Sequence, residues 1–219
     1  MSENEVNHNR LSKRFRGFFP VIVDVETAGF NHETDALLEL AAVTVKMDEN
    51  GICTPDKSCH FHIKPFEGAN LDENALAFTG IRPFHPLRLA VDEQSALNDL
   101  FKFIRTEKNE ANCPRAVLVG QNACFDLNFV NAAIHRTKIK RNPFHGFTVF
   151  DTATLSALAY GQTTLPRALE AAGIPYDNKE AHSAKYDAMV TAELFCAIVN
   201  RWKDLGGWPL GSHSDEGEP

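Results

Sequence analysis

The first strongly apolar stretch, PVIVDVETAGF at residues 20–30, is broken by one acid, Asp24, and followed by another, Glu26. The run Val21, Ile22, Val23, Val25 predicts a buried β-strand over about 20–25. Side chains alternate along a strand, so Asp24 and Glu26 leave the same face. A Gly-, Asn- and Thr-rich loop follows at 26–36. LLELAAVTVKM (37–47) reads as a second strand, DENG (48–51) as a turn and SCHFHIK (58–64) as a third, alternating strand. Short turns between three strands predict an antiparallel meander.

The pattern then changes period. LDENALAF (71–78) predicts a short helix stopped at Thr79-Gly80. Residues 92–105 carry Leu97, Leu100, Phe101 and Ile104 at helical spacing. AVLVG (116–120) reads as a buried strand, CFDLNFVNAAIHR (124–136) as an amphipathic helix, and FTVFDT (147–152) as a strand leading into TATLSALAYG. TLPRALEAAG (164–173) is a helix closed by its glycine, and the last helix covers about 184–202. Strands followed by alternating strand and helix predict an α/β domain. Its mixed β-sheet has an antiparallel meander plus parallel strands and is flanked by helices. The expected layout is an N-terminal arm at 1–15, one domain over 16–204 and a C-terminal tail at 205–219.

Composition narrows the class. With 219 residues, 43% hydrophobic and 23% charged, the chain suits one globular domain with a sizeable core. Five cysteines, odd in number and without a CxxC pair, argue against a disulfide framework or a zinc site and for a reducing cytoplasm. No run reaches membrane-spanning length, and the N-terminus has no apolar signal core. A net charge of −7 disfavours a polyanion partner, yet Arg10, Lys13, Arg14 and Arg16 cluster near the start and Arg136, Lys138, Lys140 and Arg141 cluster in HRTKIKRN. Sixteen phenylalanines against three tyrosines and two tryptophans are an unusual bias; most of those rings belong to the core, and the number leaves some for a binding surface.

Two like charges beside an apolar strand are costly unless a cation sits between them. Taken alone, the pair fits either a divalent ion or two carboxylates meeting solvent at the strand end. Further along, Asp126 opens a helix in QNACFD, where a carboxylate is favourable at the helix N-terminus in its own right. His182 and Asp187 open another in HSAKYD. Asp151, after strand FTVF, reads as a helix N-cap.

In sequence order, D-x-E, then N-x-x-F-D, then H-x4-D resembles the DEDDh 3′→5′ exonucleases over about residues 20–200. That resemblance implies a ribonuclease-H-like fold. It assigns Asp24, Glu26, Asp126 and Asp187 as ligands of two divalent metals, Mg²⁺ or Mn²⁺, with His182 as general base. The chemistry agrees: in-line phosphodiester hydrolysis needs an activated water and a stabilised departing 3′-oxygen, which two cations about 3.5–4 Å apart supply. Oxygen ligands suit these hard ions, and a histidine titrating near neutrality can accept the water's proton. Small neighbours (Ala181, Ser183, Ala184) leave His182 free to swing in when substrate arrives. Gln121 stands where many relatives have histidine.

Longer stretches, RFRGFFPVIVDVETAGFN, GANLDENALAFTGI, RNPFHGFTVFDT, AHSAKYD and FCAIVNRWKDLGGWPL, are similar to the RNA-trimming branch of that family. The resemblance implies a homodimer acting on the 3′ ends of tRNA and other stable RNAs, and on single-stranded DNA overhangs. It also implies that Phe30, Phe78, Phe125 and Phe147 sandwich the terminal bases, a mode open to any base through its π-face. Arg14, Arg16, Arg115 and Lys140, with Lys108 beside them, match a basic patch that grips RNA for the partner's site. The competing readings are a DNA-proofreading or general single-strand DNA exonuclease, a binding module without catalysis, and a purely structural α/β protein.

Overall fold

The computed structural model describes residues 10–207. Its elements are helix α1 (Arg10–Arg14), strands β1 (Phe18–Thr27), β2 (Leu37–Met47) and β3 (Cys53–His62), then helices α2 (Glu73–Thr79) and α3 (Glu93–Glu110). Strand β4 (Arg115–Gly120), helix α4 (Cys124–Thr137), strand β5 (Phe144–Asp151) and helices α5 (Thr152–Tyr160), α6 (Leu165–Ala172) and α7 (Ala184–Asp204) complete them. The five strands lie in the order β3-β2-β1-β4-β5. β1–β2 and β2–β3 are antiparallel, whereas β1–β4 and β4–β5 are parallel. This is the expected meander joined to a parallel half.

β1 is the hinge between the two halves, and its burial on both faces explains the nearly unbroken apolar run. It is longer than the run because pairing extends it: Phe18 and Phe19 stand opposite Arg115 and Ala116, and Glu26 opposite Glu39. β3 begins at Cys53 rather than near 58. It is an edge strand, so Pro55 leaves no ladder bond unmade on its open side. α3 continues past Arg105 to Glu110, and Lys57 Nζ reaches its Glu107 Oε2 at 2.8 Å, a contact that local periodicity does not carry. β5 starts at buried Phe144, paired with Ala116.

The principal core lies between the sheet and the helices. Ala184, Ala188 and Ala192, one turn apart on α7, are fully buried and let that helix approach the meander closely. Part of the expected arm joins the core: Leu11 is buried, and the Phe15 ring lies 5.4 Å from Phe150 and 5.9 Å from Phe195. The rest of the arm, residues 1–9, and the tail from 208 lie outside the described residues. All five cysteines are free. Among the described residues no helix is long and apolar enough to cross a membrane.

Candidate active site

Parallel pairing of β4 with β1 sets the position of the site. Both strands run the same way, so the turn after Gly120 emerges at the end of the sheet where β1 carries Asp24 and Glu26. α4 starts there and places Asp126 in its first turn, buried, with Oδ1 accepting from the Val25 backbone N–H at 3.0 Å. Gly120 permits this approach. A Cβ at that position would lie 3.1 Å from the Val23 carbonyl oxygen and 3.2 Å from Asp126 Oδ2.

α7 brings the remaining pair. Asp187 sits in its first turn, and its Oδ2 accepts from the His182 backbone N–H at 2.9 Å. Oδ1 is buried with no hydrogen-bond partner. His182 itself is exposed and has φ 64°, the left-handed region. One ligand atom each from Glu26, His182 and Asp187 fall within 4.8 Å of one another. The imidazole thus already stands among the carboxylates, with the Phe78 ring 4.2 Å away.

The electrostatics are those of buried carboxyls that repel one another. Burial, followed by the charge of Asp187 and then Glu39, pushes Glu26 up to about 8. Burial and the neighbouring carboxylates, Asp126 first, hold Asp24 well above the usual carboxylate range. Asp126 is likewise raised, chiefly by burial, against two backbone N–H donors that oppose the shift. Asp187 is raised by burial. An all-oxygen set with an orphaned, desolvated carboxylate oxygen fits a hard divalent cation.

Other residues singled out in the sequence divide. Asp151 caps α5 by accepting from Ala153 N–H at 3.0 Å and also accepts from Asn122 N–H at 2.9 Å, so it braces the turn before α4. Gln121 is structural: Oε1 accepts from Thr152 Oγ1 at 2.7 Å and Nε2 donates to the Thr163 carbonyl, also at 2.7 Å. Phe30 is 90% exposed and meets the half-buried Phe125 edge-on at 6.3 Å, whereas Phe78 leans on His182. Phe147, exposed on the edge strand β5, has its ring against His145 at 4.6 Å.

The basic residues lie elsewhere. Arg115 stands opposite Phe18 at the start of both strands, with Arg16 two residues before Phe18 and its guanidinium 5.7 Å from that ring. Phe18 is six residues, roughly 20 Å along an extended strand, from Asp24. Lys140 is exposed in the connection from α4 to β5, and Arg14 is half-buried on α1, where burial lowers its pKa. Arg136, from the cluster HRTKIKRN, is not available: it makes a buried pair with Glu93 at 2.7 Å and donates to the His32 carbonyl. Two contributors escaped the sequence reading. Glu39 faces Glu26 across β1–β2, a register that hydropathy does not reveal. Tyr176 has its hydroxyl pushed up to about 12, first by burial and then by the charge of Asp187.

Residues 21–195 match the RNase_T family, described as Exonuclease. The chain is 66% identical over 201 residues to a ribonuclease T of Vibrio campbellii, covering 91% of this chain and 94% of that one. It is 59% identical over 209 residues to a ribonuclease T of Histophilus somni, covering 95% and 96%. Among solved structures it is similar to Escherichia coli exonuclease I in complex with a dT13 oligonucleotide, with TM-score 0.65 and 19% identity. That likeness covers 86% of this chain and 42% of the exonuclease, and it places the fold among ribonuclease-H-like domains.

Proposed function

The chain belongs to the ribonuclease T family of exonucleases and is a 3′→5′ exonuclease; from that premise we propose that it trims the 3′ ends of tRNA and other stable RNAs, and single-stranded DNA overhangs, in the cytoplasm. The observation that carries the reading is the carboxylate cluster. Four acids, all raised by burial, meet at one end of β1 beside an exposed imidazole and exposed aromatic rings.

Asp24, Glu26, Asp126 and Asp187 hold two Mg²⁺ or Mn²⁺ ions in this reading. When bound, such ions supply Lewis-acid stabilisation of phosphate oxygens and a more acidic water. His182 takes a proton from the attacking water at a ring nitrogen. The water oxygen adds to phosphorus, the bond from phosphorus to the 3′-oxygen of the preceding nucleotide breaks, that oxygen takes a proton from solvent to become the new 3′-hydroxyl, and a 5′-mononucleotide leaves. Phe30 and Phe125 stack the terminal bases from one side. Phe78, on His182, closes the other, and Phe147 engages a base further along.

The position of the basic residues supports a homodimer. Arg16 and Arg115 lie at the far end of β1 from the acids, with Lys140 and Arg14 supplementing them. A patch there grips RNA that is cut at the site of a second copy. Such a division lets a net charge of −7 coexist with a polyanionic substrate.

The test is Asp24→Ala. Release of 5′-mononucleotides from a single-stranded RNA 3′ end should fall to background in Mg²⁺, while binding of that RNA, read by fluorescence anisotropy, stays within a few-fold. Full activity in the variant refutes the metal assignment. Background rates on single-stranded RNA 3′ ends beside rapid cleavage of matched single-stranded DNA refute the RNA-trimming role.

A further inference from the structure

Beside the proposed catalytic cluster stands a second group of ligating side chains that the exonuclease reaction does not use. His60 and His62 are two residues apart on β3 and share a face. Glu39 stands directly opposite His62 in the β2–β3 register and diagonal to His60, which pairs with Ala41. Its carboxylate is forked between them: Oε1 lies 2.9 Å from His62 Nδ1, and Oε2 lies 3.4 Å from His60 Nε2. The ring centroids are 4.6 Å apart, and one donor atom from each of the three residues falls within 4.8 Å of the others. We propose that Glu39, His60 and His62 form a separate site for a borderline transition ion of the Zn²⁺ or Co²⁺ type.

The donor set decides the ion class. Two imidazole nitrogens and one carboxylate leave open positions, the arrangement of Zn²⁺ sites that keep a water and of 2-His-1-carboxylate sites. Mg²⁺ prefers the all-oxygen cluster next door. Because Nδ1 of one histidine and Nε2 of the other aim at one carboxylate, an ion placed among them would meet all three donors, each neutral imidazole carrying its proton on its other ring nitrogen. Entry is open: the side chains of His60 and His62 are 20% and 38% exposed, against 10% for Glu39. Arg88, the nearby cation, is tied to the Pro83 and Leu38 carbonyls at 3.0 and 2.7 Å rather than to Glu39. The site touches the catalytic reading through Glu26, which faces Glu39 across β1–β2.

The experiment does not read activity, so it stands or falls apart from the exonuclease assignment. The full chain in excess Mg²⁺ is titrated with Co²⁺, and the visible absorption of nitrogen-coordinated cobalt is followed. A single class of site is expected, unchanged in His182→Gln and in Asp187→Asn. His62→Gln and Glu39→Gln should weaken it by at least the ~10–100-fold that follows loss of an outer-shell partner. The proposal is overturned if no absorption develops, if it survives His60→Gln with His62→Gln, or if His182→Gln removes it. If those variants fail to fold, paramagnetic broadening of the His60 and His62 ring resonances in the unaltered chain decides, and its absence refutes the site.

Discussion

Glu26 shows how single residues set the behaviour of the site. Without a cation its carboxyl is raised to about 8 from an ordinary 4.5 by burial and by Asp187 and Glu39. A carboxyl whose folded pKa is raised binds more protons in the native state than in the unfolded one. Its contribution to stability is therefore present below the unfolded value and lost as pH climbs through about 8. Asp24, Asp126 and Asp187 are shifted in the same direction. In chelator, the melting temperature should accordingly fall between pH 5 and pH 8.5. Added Mg²⁺ should restore it at pH 8.5 and do little at pH 5, where protons already neutralise the cluster. Thermal melts across that range decide the matter, and a chelated protein that grows more stable toward pH 8.5 contradicts it.

At the scale of elements, the loop after β1 shows what a run of polar residues conceals. Asp35 is its clamp, accepting from Asn31 N–H at 3.0 Å, Thr34 Oγ1 at 2.9 Å and Asn70 Nδ2 at 2.9 Å. These bonds hold its carboxyl below the usual range. Gly29 passes so close that a Cβ there would sit 2.7 Å from Asp35 Cγ. Gly29→Ala should therefore disturb the clamp that presents Phe30. Its affinity loss for a single-stranded 3′ end should approach that of Phe30→Ala, about 5- to 150-fold if one stack of roughly 1–3 kcal/mol is removed. Only Gly29→Ala should also lower the melting temperature, because Phe30 is already in solvent. The sequence did foretell a loop here, and it foretold every strand and the sizeable helices by their periods. Where elements ran on, they met partners distant in sequence: β2 pairs with Pro55's strand, and Lys57 reaches Glu107 on α3. For the same reason Asp126 was readable as a helix-start acid, whereas its bond to Val25 N–H and the pairing of Glu39 with Glu26 were not.

Across the whole molecule, the proposed chemistry and the proposed grip are separated by the length of β1. The acids lie at its C-terminal end; Arg115 and Arg16 lie at its start. Phosphate contacts carry no base information, so loss of two should weaken binding nearly uniformly over sequences. For Arg16→Ala with Arg115→Ala, the slope of log K against log salt on single-stranded RNA should become shallower by about 1.4, at about 0.7 per contact. Turnover at saturating substrate should hold, since neither side chain reaches the acids. An unchanged salt slope would remove these arginines from the RNA path.

His182 is held at φ 64°, a conformation that disfavours any side chain by about 1–2 kcal/mol and that glycine adopts freely. The chain would be easier to fold with glycine there, and it would have no imidazole to offer. With His182 as the proposed base, stability favours glycine at this position while turnover requires the histidine.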